Sequence, residues 1–489
     1  MIRRPRALLL LMLAASPGSA SAQNAPATAS PRAVVERGLA AMGGAEAARG
    51  VRSLGVEFAT VVYQLGQEVR PGARPPFFLR TGTQVWDYAG RRMAIEAQTW
   101  RPLPSRQRFV TTTAAGMAVT DGAQAPQPAM PAAGSRALRQ TPLQLLTNAL
   151  ASDASLRSMT RAGGQAGVRV ATPHDTLTLW FDRAGGELAA IEETTDDPIL
   201  GDRLTRTEFL RWRPVGDGPL RLPSRVDVLV NGVLQASTGH DRWTVNPALP
   251  DSLFAIPDSI AARSPRLDAR GDAPVAVRLD SVAPGVWHVT GGSHHSLAVV
   301  QGDSIVLVEA PLSSARMEAV LDTLRARFPR SPVRLAVNSH LHWDHASGVR
   351  AALAAGLTVL THRANVEPLR RVAARPRTLR PDGVERRAGV ARQIRAVGDS
   401  LVAGRGATRL TVHHIPTPHT DGMLGVYLPE HRILFTSDVA PTRNRWDAAD
   451  MVRWAERRGL VVERIVGGHG APTPWAEMVA AAAGQAAAR

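Results

Sequence analysis

Residues 339–348 read Ser339-His-Leu-His-Trp-Asp-His-Ala-Ser-Gly348 and carry the strongest chemical pattern in the sequence. Three histidines and one aspartate fall within six residues of this stretch. They directly follow Val333–Val337, a short apolar run that predicts a buried strand. In an extended segment, residues two apart point to the same side, so His340 and His342 can bind one cation together. The stretch therefore predicts a metal site at the end of a strand.

Asp344 and His345 come where the chain turns into the next predicted helix, so they can face a second cation beside the first. Neutral imidazole and carboxylate are ligands that suit zinc, manganese and iron(II). The alternative is a cluster of surface histidines. At this histidine frequency, however, the pattern H-x-H-x-D-H is expected by chance in roughly one of two thousand chains of this length. We therefore interpret the four residues as metal ligands.

Further candidate ligands occur later in the chain. His419, Asp438 and His469 each stand in a strand-end context similar to that of the first block. Of the 14 histidines, 12 lie at or after His288. We therefore expect the chemistry of this protein in the second half of the chain.

The H-x-H-x-D-H block, the later histidine, the strand-end aspartate and the final Gly-His-Gly resemble, in this order, the motifs of the metallo-β-lactamase-fold hydrolases. The resemblance covers about residues 276–489 and implies an α/β fold, an αββα sandwich with metals at the edge of its two sheets. It also implies a ligand set: for the first metal His340, His342 and His419, for the second Asp344, His345 and His469, and Asp438 bridging both. Asp344 and Asp438 are, in addition, the predicted catalytic residues.

Some positions refine this resemblance. The penicillin-degrading members usually have Cys or Ser at the bridging position, whereas Asp438 is typical of glyoxalase II-like and lactonase-like hydrolases. Glu309 stands where the family usually has an aspartate that supports the His-x-His loop, and we expect it to keep that support with adjusted geometry. His294, His295 and His362 are candidates for contact with substrate, with structural roles as the alternative.

The ligand set predicts a reaction. Two divalent ions, zinc first and manganese or iron as options, would share a water and lower its pKa from ~15.7 toward 7. The metal-bound hydroxide would then attack a small ester, lactone, thioester or amide. No protein nucleophile is required, which agrees with the absence of Cys and of a G-x-S-x-G motif. The arginines between the ligand blocks could meet an anionic substrate, but we favour a solvated helix face for them: Arg370, Arg371, Arg386 and Arg387.

Two other functions stay open. One is a mononuclear iron dioxygenase or redox protein on the same fold, against which the complete second ligand set argues. The other is a binding protein whose first half holds a lipid or another apolar ligand, with a vestigial metal site.

The first half of the chain, residues 31–257, predicts a different architecture. Arg32–Ala48 suits a helix, and short β-type runs separated by Gly, Pro, Asp and Asn follow it. Asn231-Gly232 is a strong two-residue hairpin signal. These features predict a meandering antiparallel sheet with a few helices (α+β), able to curl around an apolar cavity. The segment Trp243–Phe254 resembles the curved-sheet domain of periplasmic lipoprotein carriers.

The remaining segments complete the predicted organisation. Residues 1–22 have a basic start, a short apolar core and a small-residue cleavage site near Ala22, which together predict a signal peptide. The apolar core is far shorter than the ~20 residues that a spanning helix needs, so we expect a periplasmic or secreted protein rather than an anchored one. Residues 258–275 predict a linker, and residues 276–489 are the predicted catalytic domain.

The charge of the 489-residue chain does not indicate a nucleic-acid partner. The net charge is +16 and all 58 basic residues are arginine, but they are spread along the chain among 42 acidic residues. Without a local run of like charges, net charge bears on solubility rather than on binding. We expect a small-molecule substrate, no nucleic acid and no stable membrane insertion once the leader is removed. The sequence does not indicate an oligomeric state.

Overall fold

The fold is described from a computed structural model, which covers residues 29–487 with gaps at 102, 114, 121–126, 130–135, 152–153, 162–164, 173–175, 184–185, 264–273, 386–388, 390–392, 405–407 and 442–446. The predicted signal peptide, most of the predicted linker, Arg386 and Arg387 lie outside the described residues. Among the helices that are described, none is both long and apolar enough to cross a membrane.

The N-terminal region is built on one antiparallel sheet of 13 strands, in which the first strand pairs with the last. The strands are β1 (Ser53–Tyr63), β2 (Phe77–Asp87), β3 (Arg92–Trp100), β4 (Pro104–Thr111), β5 (Gly116–Thr120), β6 (Gln127–Ala129), β7 (Ser155–Thr160), β8 (Ala166–Ala171), β9 (Thr176–Phe181), β10 (Leu188–Asp197), β11 (Gly201–Pro214), β12 (Arg221–Val230) and β13 (Val233–Val245). The predicted hairpin is confirmed, because Asn231 and Gly232 connect β12 to β13 with φ of 47° and 83°.

Helices that pack on this sheet include α1 (Pro31–Ala41), α2 (Gly44–Gly50) and α3 (Pro142–Ala149). The helices and the sheet share one hydrophobic core, in which Val35 of α1 and Leu146 of α3 are fully buried with Leu179 of β9. A further short helix, α4 (Asp258–Ala261), occupies the start of the predicted linker. Its Ile260 is buried in a second cluster on the same sheet, so packing on the sheet continues past residue 257.

The C-terminal region contains two further sheets. The strands of the seven-stranded sheet are β14 (Arg278–Ala283), β15 (Val286–Thr290), β16 (Ser296–Val300), β17 (Ile305–Val308), β18 (Val333–Val337), β19 (Thr358–His362) and β20 (Ile394–Val397). The strands of the six-stranded sheet are β21 (Ser400–Ala403), β22 (Leu410–His414), β23 (Leu424–Leu428), β24 (Ile433–Ser437), β25 (Arg464–Gly467) and β26 (Thr473–Pro474). The helices are α5 (Ser314–Arg327), α6 (Trp343–Ala346), α7 (Val349–Ala354), α8 (Val366–Ala374), α9 (Ala448–Arg457) and α10 (Trp475–Ala487).

These elements form four layers. Helices α5, α7 and α8 share a hydrophobic core with the seven-stranded sheet, where Leu324 and Leu307 are fully buried. Side chains of both sheets meet in a second core that includes Val337 and Phe435. Helices α9 and α10 share a third core with the six-stranded sheet, centred on Met451. The structure therefore confirms the predicted fold class, an αββα sandwich that follows a mostly antiparallel sheet region.

The hairpin between β10 and β11 joins the two regions. Its Ile199 is buried in the same core as α5 and α7. Arg377, in the segment after α8, donates a hydrogen bond from Nε to Asp196 at 2.8 Å and one from a terminal guanidinium nitrogen to Asp382 at 3.1 Å. An apolar anchor and a half-buried ionic network therefore fix the N-terminal sheet against the sandwich.

Candidate metal centre

The predicted ligands lie at one edge of the sandwich, where strands of both sheets end. His340 and His342 follow β18, and Asp344 and His345 lie on α6 immediately afterwards. The other three follow strands of the six-stranded sheet: His419 after β22, Asp438 after β24 and His469 after β25. Because the parallel strands of each sheet end on the same side, residues far apart in the chain meet at this edge.

The structure brings all seven residues together, in two groups of four that also include His294. Within each group the potential ligand atoms lie within 4.8 Å of one another. One group is His340, His342, His419 and Asp438, and the other is His294, Asp344, His345 and His469.

Asp438 lies between the two groups. Its Oδ1 is 2.9 Å from Nε2 of His345 and 2.9 Å from Nε2 of His469. Its Oδ2 is 3.1 Å from Nε2 of His419 and 4.0 Å from Nε2 of His340. Each carboxylate oxygen therefore faces one group, which is the arrangement that a ligand shared by two cations requires.

The histidines present nitrogens that are suited to a cation. In the part of the chain that the structure describes, one buried ring nitrogen of each makes no hydrogen bond of satisfactory geometry: Nε2 of His340, His345, His419 and His469, and Nδ1 of His342. The opposite nitrogen is often held by the protein. Nδ1 of His340 is 2.8 Å from the Ser339 hydroxyl, and Nδ1 of His469 is 2.8 Å from the Ser293 carbonyl oxygen. Such contacts fix the ring orientation and leave a lone pair for a metal, so the donor set fits divalent metal ions.

Glu309 lies beneath the cluster and is fully buried. Its carboxylate accepts hydrogen bonds from the hydroxyls of Ser339 at 2.6 Å and Ser437 at 2.9 Å. The same carboxylate is 3.2 Å from Nδ1 of His345. Glu309 thus contacts both the loop that carries His340 and the ring of His345. Contacts of this kind, on the side of a ligand that faces away from the metal, fix the orientation of the ligand.

The charges of the cluster favour cation binding. Burial, reinforced by the neighbouring histidines, lowers the pKa of His342 to about 4 and that of His340 well below its usual range. Burial would also lower the pKa of His345, but the adjacent carboxylates of Asp438 and Glu309 outweigh it and raise the pKa to about 10. Burial would raise the pKa of Asp438, but its three histidine neighbours hold it far below its usual range. His340 and His342 therefore offer neutral imidazoles and Asp438 an ionised carboxylate, while a cation would displace the proton of His345.

The candidates for substrate contact lie in different surroundings. His294 joins the second ligand group, with Nε2 3.1 Å from Oδ2 of Asp344. His295 places Nδ1 2.9 Å from the Gly470 carbonyl oxygen, and His362 stacks on His414 with ring centroids 4.2 Å apart. Among the described residues, neither His295 nor His362 belongs to a group of potential ligands. Contact of these residues with substrate stays a prediction.

Two of the arginines between the ligand blocks, Arg370 and Arg371, lie within the described residues. Arg370 and Arg371 lie on α8 with exposed side chains, and each is 3.9 Å from the carboxylate of Glu367. This agrees with a solvated helix face for these two residues.

Some residues of the centre carry no signal in the sequence. The Ser437 hydroxyl, which joins Glu309 to the loop of His340, lies at the end of β24, a strand that begins with three apolar residues. Gln67 of the N-terminal region donates its amide to Asp344 at 2.8 Å across 277 positions of sequence. Neither contact follows from local spacing, because each depends on how distant strands are brought together.

Replacing Glu309 with glutamine is expected to weaken metal binding by about 10- to 100-fold, the usual effect of losing a residue that orients a ligand. The neutral amide cannot hold the N–H of His345 as the carboxylate does. Glu309→Asp keeps the charge and is expected to lose less. Competition with a chelating dye measures the affinities, and thermal melting checks the fold. Wild-type affinity in Glu309→Gln would contradict this role.

Comparisons with known proteins found one family model and several solved structures that are similar to part of this chain. Residues 289–469 match the family model of the Metallo-beta-lactamase superfamily. A metallo-β-lactamase from Pontibacter korlensis is 18% identical, with 42% of this chain and 98% of that chain covered and a TM-score of 0.33. One from Hirschia baltica is 16% identical, with 42% and 96% covered and a TM-score of 0.33. A search of curated protein sequences found no significant match. From its match to the family model, the region from residue 289 to residue 469 is a domain of the metallo-β-lactamase superfamily.

Proposed function

We propose that this protein is an exported hydrolase that uses two divalent metal ions on a small ester, lactone, thioester or amide. The superfamily domain and its histidine and aspartate groups indicate metal-dependent hydrolase chemistry. One observation supports the two-ion form: each carboxylate oxygen of Asp438 faces a different, complete group of ligands. A mononuclear iron site would use only one ligand group and would leave Asp344, His345 and His469 without a metal to bind.

The side chains have separate tasks in this proposal. When bound, two such ions supply Lewis acidity and lower the pKa of water. His340, His342 and His419 would hold one of them, and Asp344, His345 and His469 the other, with His294 beside the second group. Asp438 sets the spacing between the two groups, while Glu309 holds the ring of His345 from behind.

Zinc is the ion that we propose first, because imidazole and carboxylate are its usual ligands outside thiolate sites. The proposed location in the periplasm or outside the cell rests on the signal-like residues 1–22. The proposed small-molecule substrate follows from the hydrolase chemistry proposed for the metal centre. The lipid-binding alternative has less support. A groove of about 700 Å³ on the N-terminal sheet is lined in part by charged side chains, among them Arg213, Arg225 and Asp241.

A panel of chromogenic esters, lactones, thioesters and β-lactams tests this proposal. The purified protein is expected to hydrolyse at least one class, to lose that activity with a chelator and to regain it with zinc. Turnover that survives complete metal removal would contradict the proposal. Oxygen consumption with an iron-loaded protein that hydrolyses none of the panel would favour the dioxygenase.

A further inference from the structure

The loop between β1 and β2, residues 64–76, reaches from the N-terminal sheet to the metal centre. We call it the β1–β2 loop. The backbone N–H of Trp343 donates to the Gly66 carbonyl at 3.1 Å. On the other side, the backbone N–H of Asp421 and the Thr420 hydroxyl donate to the Val69 carbonyl at 2.8 and 3.0 Å. The loop is therefore bound to the segment that carries the H-x-H-x-D-H motif and to the segment that follows His419.

Two contacts of the loop reach the ligands themselves, one in each group. The side-chain amide of Gln67 donates to Oδ1 of Asp344 at 2.8 Å. The other oxygen of that carboxylate, Oδ2, faces His294 at 3.1 Å. In addition, Nε2 of His342 lies 3.3 Å from the Glu68 carbonyl oxygen, while its Nδ1 is the buried nitrogen that faces the first group. The loop therefore contacts Oδ1 of Asp344 and Nε2 of His342. It leaves Oδ2 of Asp344 and Nδ1 of His342 available to a cation.

The close approach of the loop depends on a glycine. Gly66 has a φ of +81°, and a Cβ at this position would lie 2.1 Å from the indole ring of Trp343. Any other residue would push the loop away from the ring or displace Trp343, which is the neighbour of both His342 and Asp344. The β10–β11 hairpin of the same sheet also restricts the position of the loop, because it is anchored to the sandwich. Its Ile199 is buried in the core of the sandwich, and its Asp196 accepts a hydrogen bond from Arg377.

We propose that the β1–β2 loop is a built-in part of the metal centre and that Gln67 is a positioning residue, which holds Asp344 with Oδ2 toward the second group. The inference rests on the two-metal function proposed above. It gives the N-terminal region a task at the metal centre, because the region completes the shell of hydrogen bonds around the ligands.

Metal affinity of Gln67→Ala tests the positioning role. Zinc affinities are measured by competition with a chelating dye on the full chain, with Gln64→Ala as the matched control in the same loop. Gln67→Ala is expected to bind one equivalent about 10- to 100-fold more weakly, with the other equivalent and the melting temperature unchanged. Gln64→Ala is expected to match wild type. Two equivalents held with wild-type affinity by Gln67→Ala would overturn the inference and leave the proposed function intact. Fewer than two equivalents in wild type would overturn both.

The glycines of the loop supply a second, independent comparison. Gly66 and Gly72 have similar φ of +81° and +79°, but a Cβ at Gly72 would meet nothing within 4 Å. Alanine therefore strains the backbone comparably at both positions, whereas only Gly66→Ala displaces the loop from Trp343. We expect Gly66→Ala to weaken zinc binding at least tenfold and Gly72→Ala to leave it unchanged. Equal zinc affinities in the two variants would overturn the proposal that loop position matters to the centre.

Discussion

Replacing Asp438 with alanine is expected to lower hydrolytic turnover by more than about a hundredfold. Mutation of a residue that only orients a metal ligand typically lowers metal affinity or activity 10- to 100-fold. Asp438 lies between both ligand groups, so its loss is expected to have a larger effect. Without its carboxylate, His345 and His469 lose the oxygen that lies 2.9 Å from each of them, and the two groups lose their common ligand. Steady-state kinetics on the best substrate of the panel measures the effect.

The control for this variant is Asp450→Ala, which removes an aspartate of α9 that pairs with Arg453 at the surface. It is expected to keep wild-type turnover. Thermal melting of both variants separates chemistry from folding, since Asp438 belongs to the ligand cluster rather than to a hydrophobic core. If Asp438→Ala simply unfolds, the residue is structural, and wild-type turnover in this variant would contradict the bridging role.

The double variant His340→Ala with His342→Ala is expected to purify with clearly less bound metal than wild type. Both rings present a buried nitrogen to the first ligand group, so the variant retains only His419 and Asp438 there. Two remaining ligands are fewer than the three protein ligands of an ordinary catalytic zinc site. Elemental analysis of protein purified without added metal gives the loss directly.

His431→Ala is the matched control, because His431 belongs to no ligand group among the described residues. Its metal content is expected to equal that of wild type. Unchanged metal loading in the double variant would remove the first site as described. A loss in both variants would point to a general effect of removing histidines.

The sequence was most informative where local spacing carries the chemistry. The six residues that follow the buried strand β18 closely include four ligands: His340, His342, Asp344 and His345. Because these ligands are close in sequence, local spacing alone predicts that they lie close together. His294 could not be separated from His295 by sequence, because adjacent residues in a hairpin differ only in the direction that each side chain takes. In the structure His294 faces Asp344, whereas His295 faces the Gly470 carbonyl.

Backbone geometry accounts for one wrong prediction. Residues 32–48 were expected to form a single helix, but the structure has α1 ending at Ala41 and α2 beginning at Gly44. Gly43 and Gly44 adopt φ of 118° and 91°, which break the helix, and a Cβ at Gly43 would lie 2.6 Å from the Pro219 carbonyl oxygen. Two consecutive glycines already disfavour a helix, and the close approach of Pro219 requires a residue without a side chain at position 43.

The contribution of the N-terminal region was also beyond sequence analysis. Gln67 and Glu68 lie in a polar loop with no motif, and their partners are found more than 270 positions later. Only the pairing of β1 with β2, together with the docking of Ile199 and Arg377, brings that loop to the ligands.

Counting the metal ions bound per chain shows whether the centre holds two ions, one or none. The protein is purified without added metal and analysed for zinc, manganese and iron against its concentration. The two-ion account predicts about two equivalents of zinc or manganese per chain. About one equivalent of iron would contradict it in favour of a dioxygenase, and a chain that holds no metal and takes up none on addition would contradict it altogether.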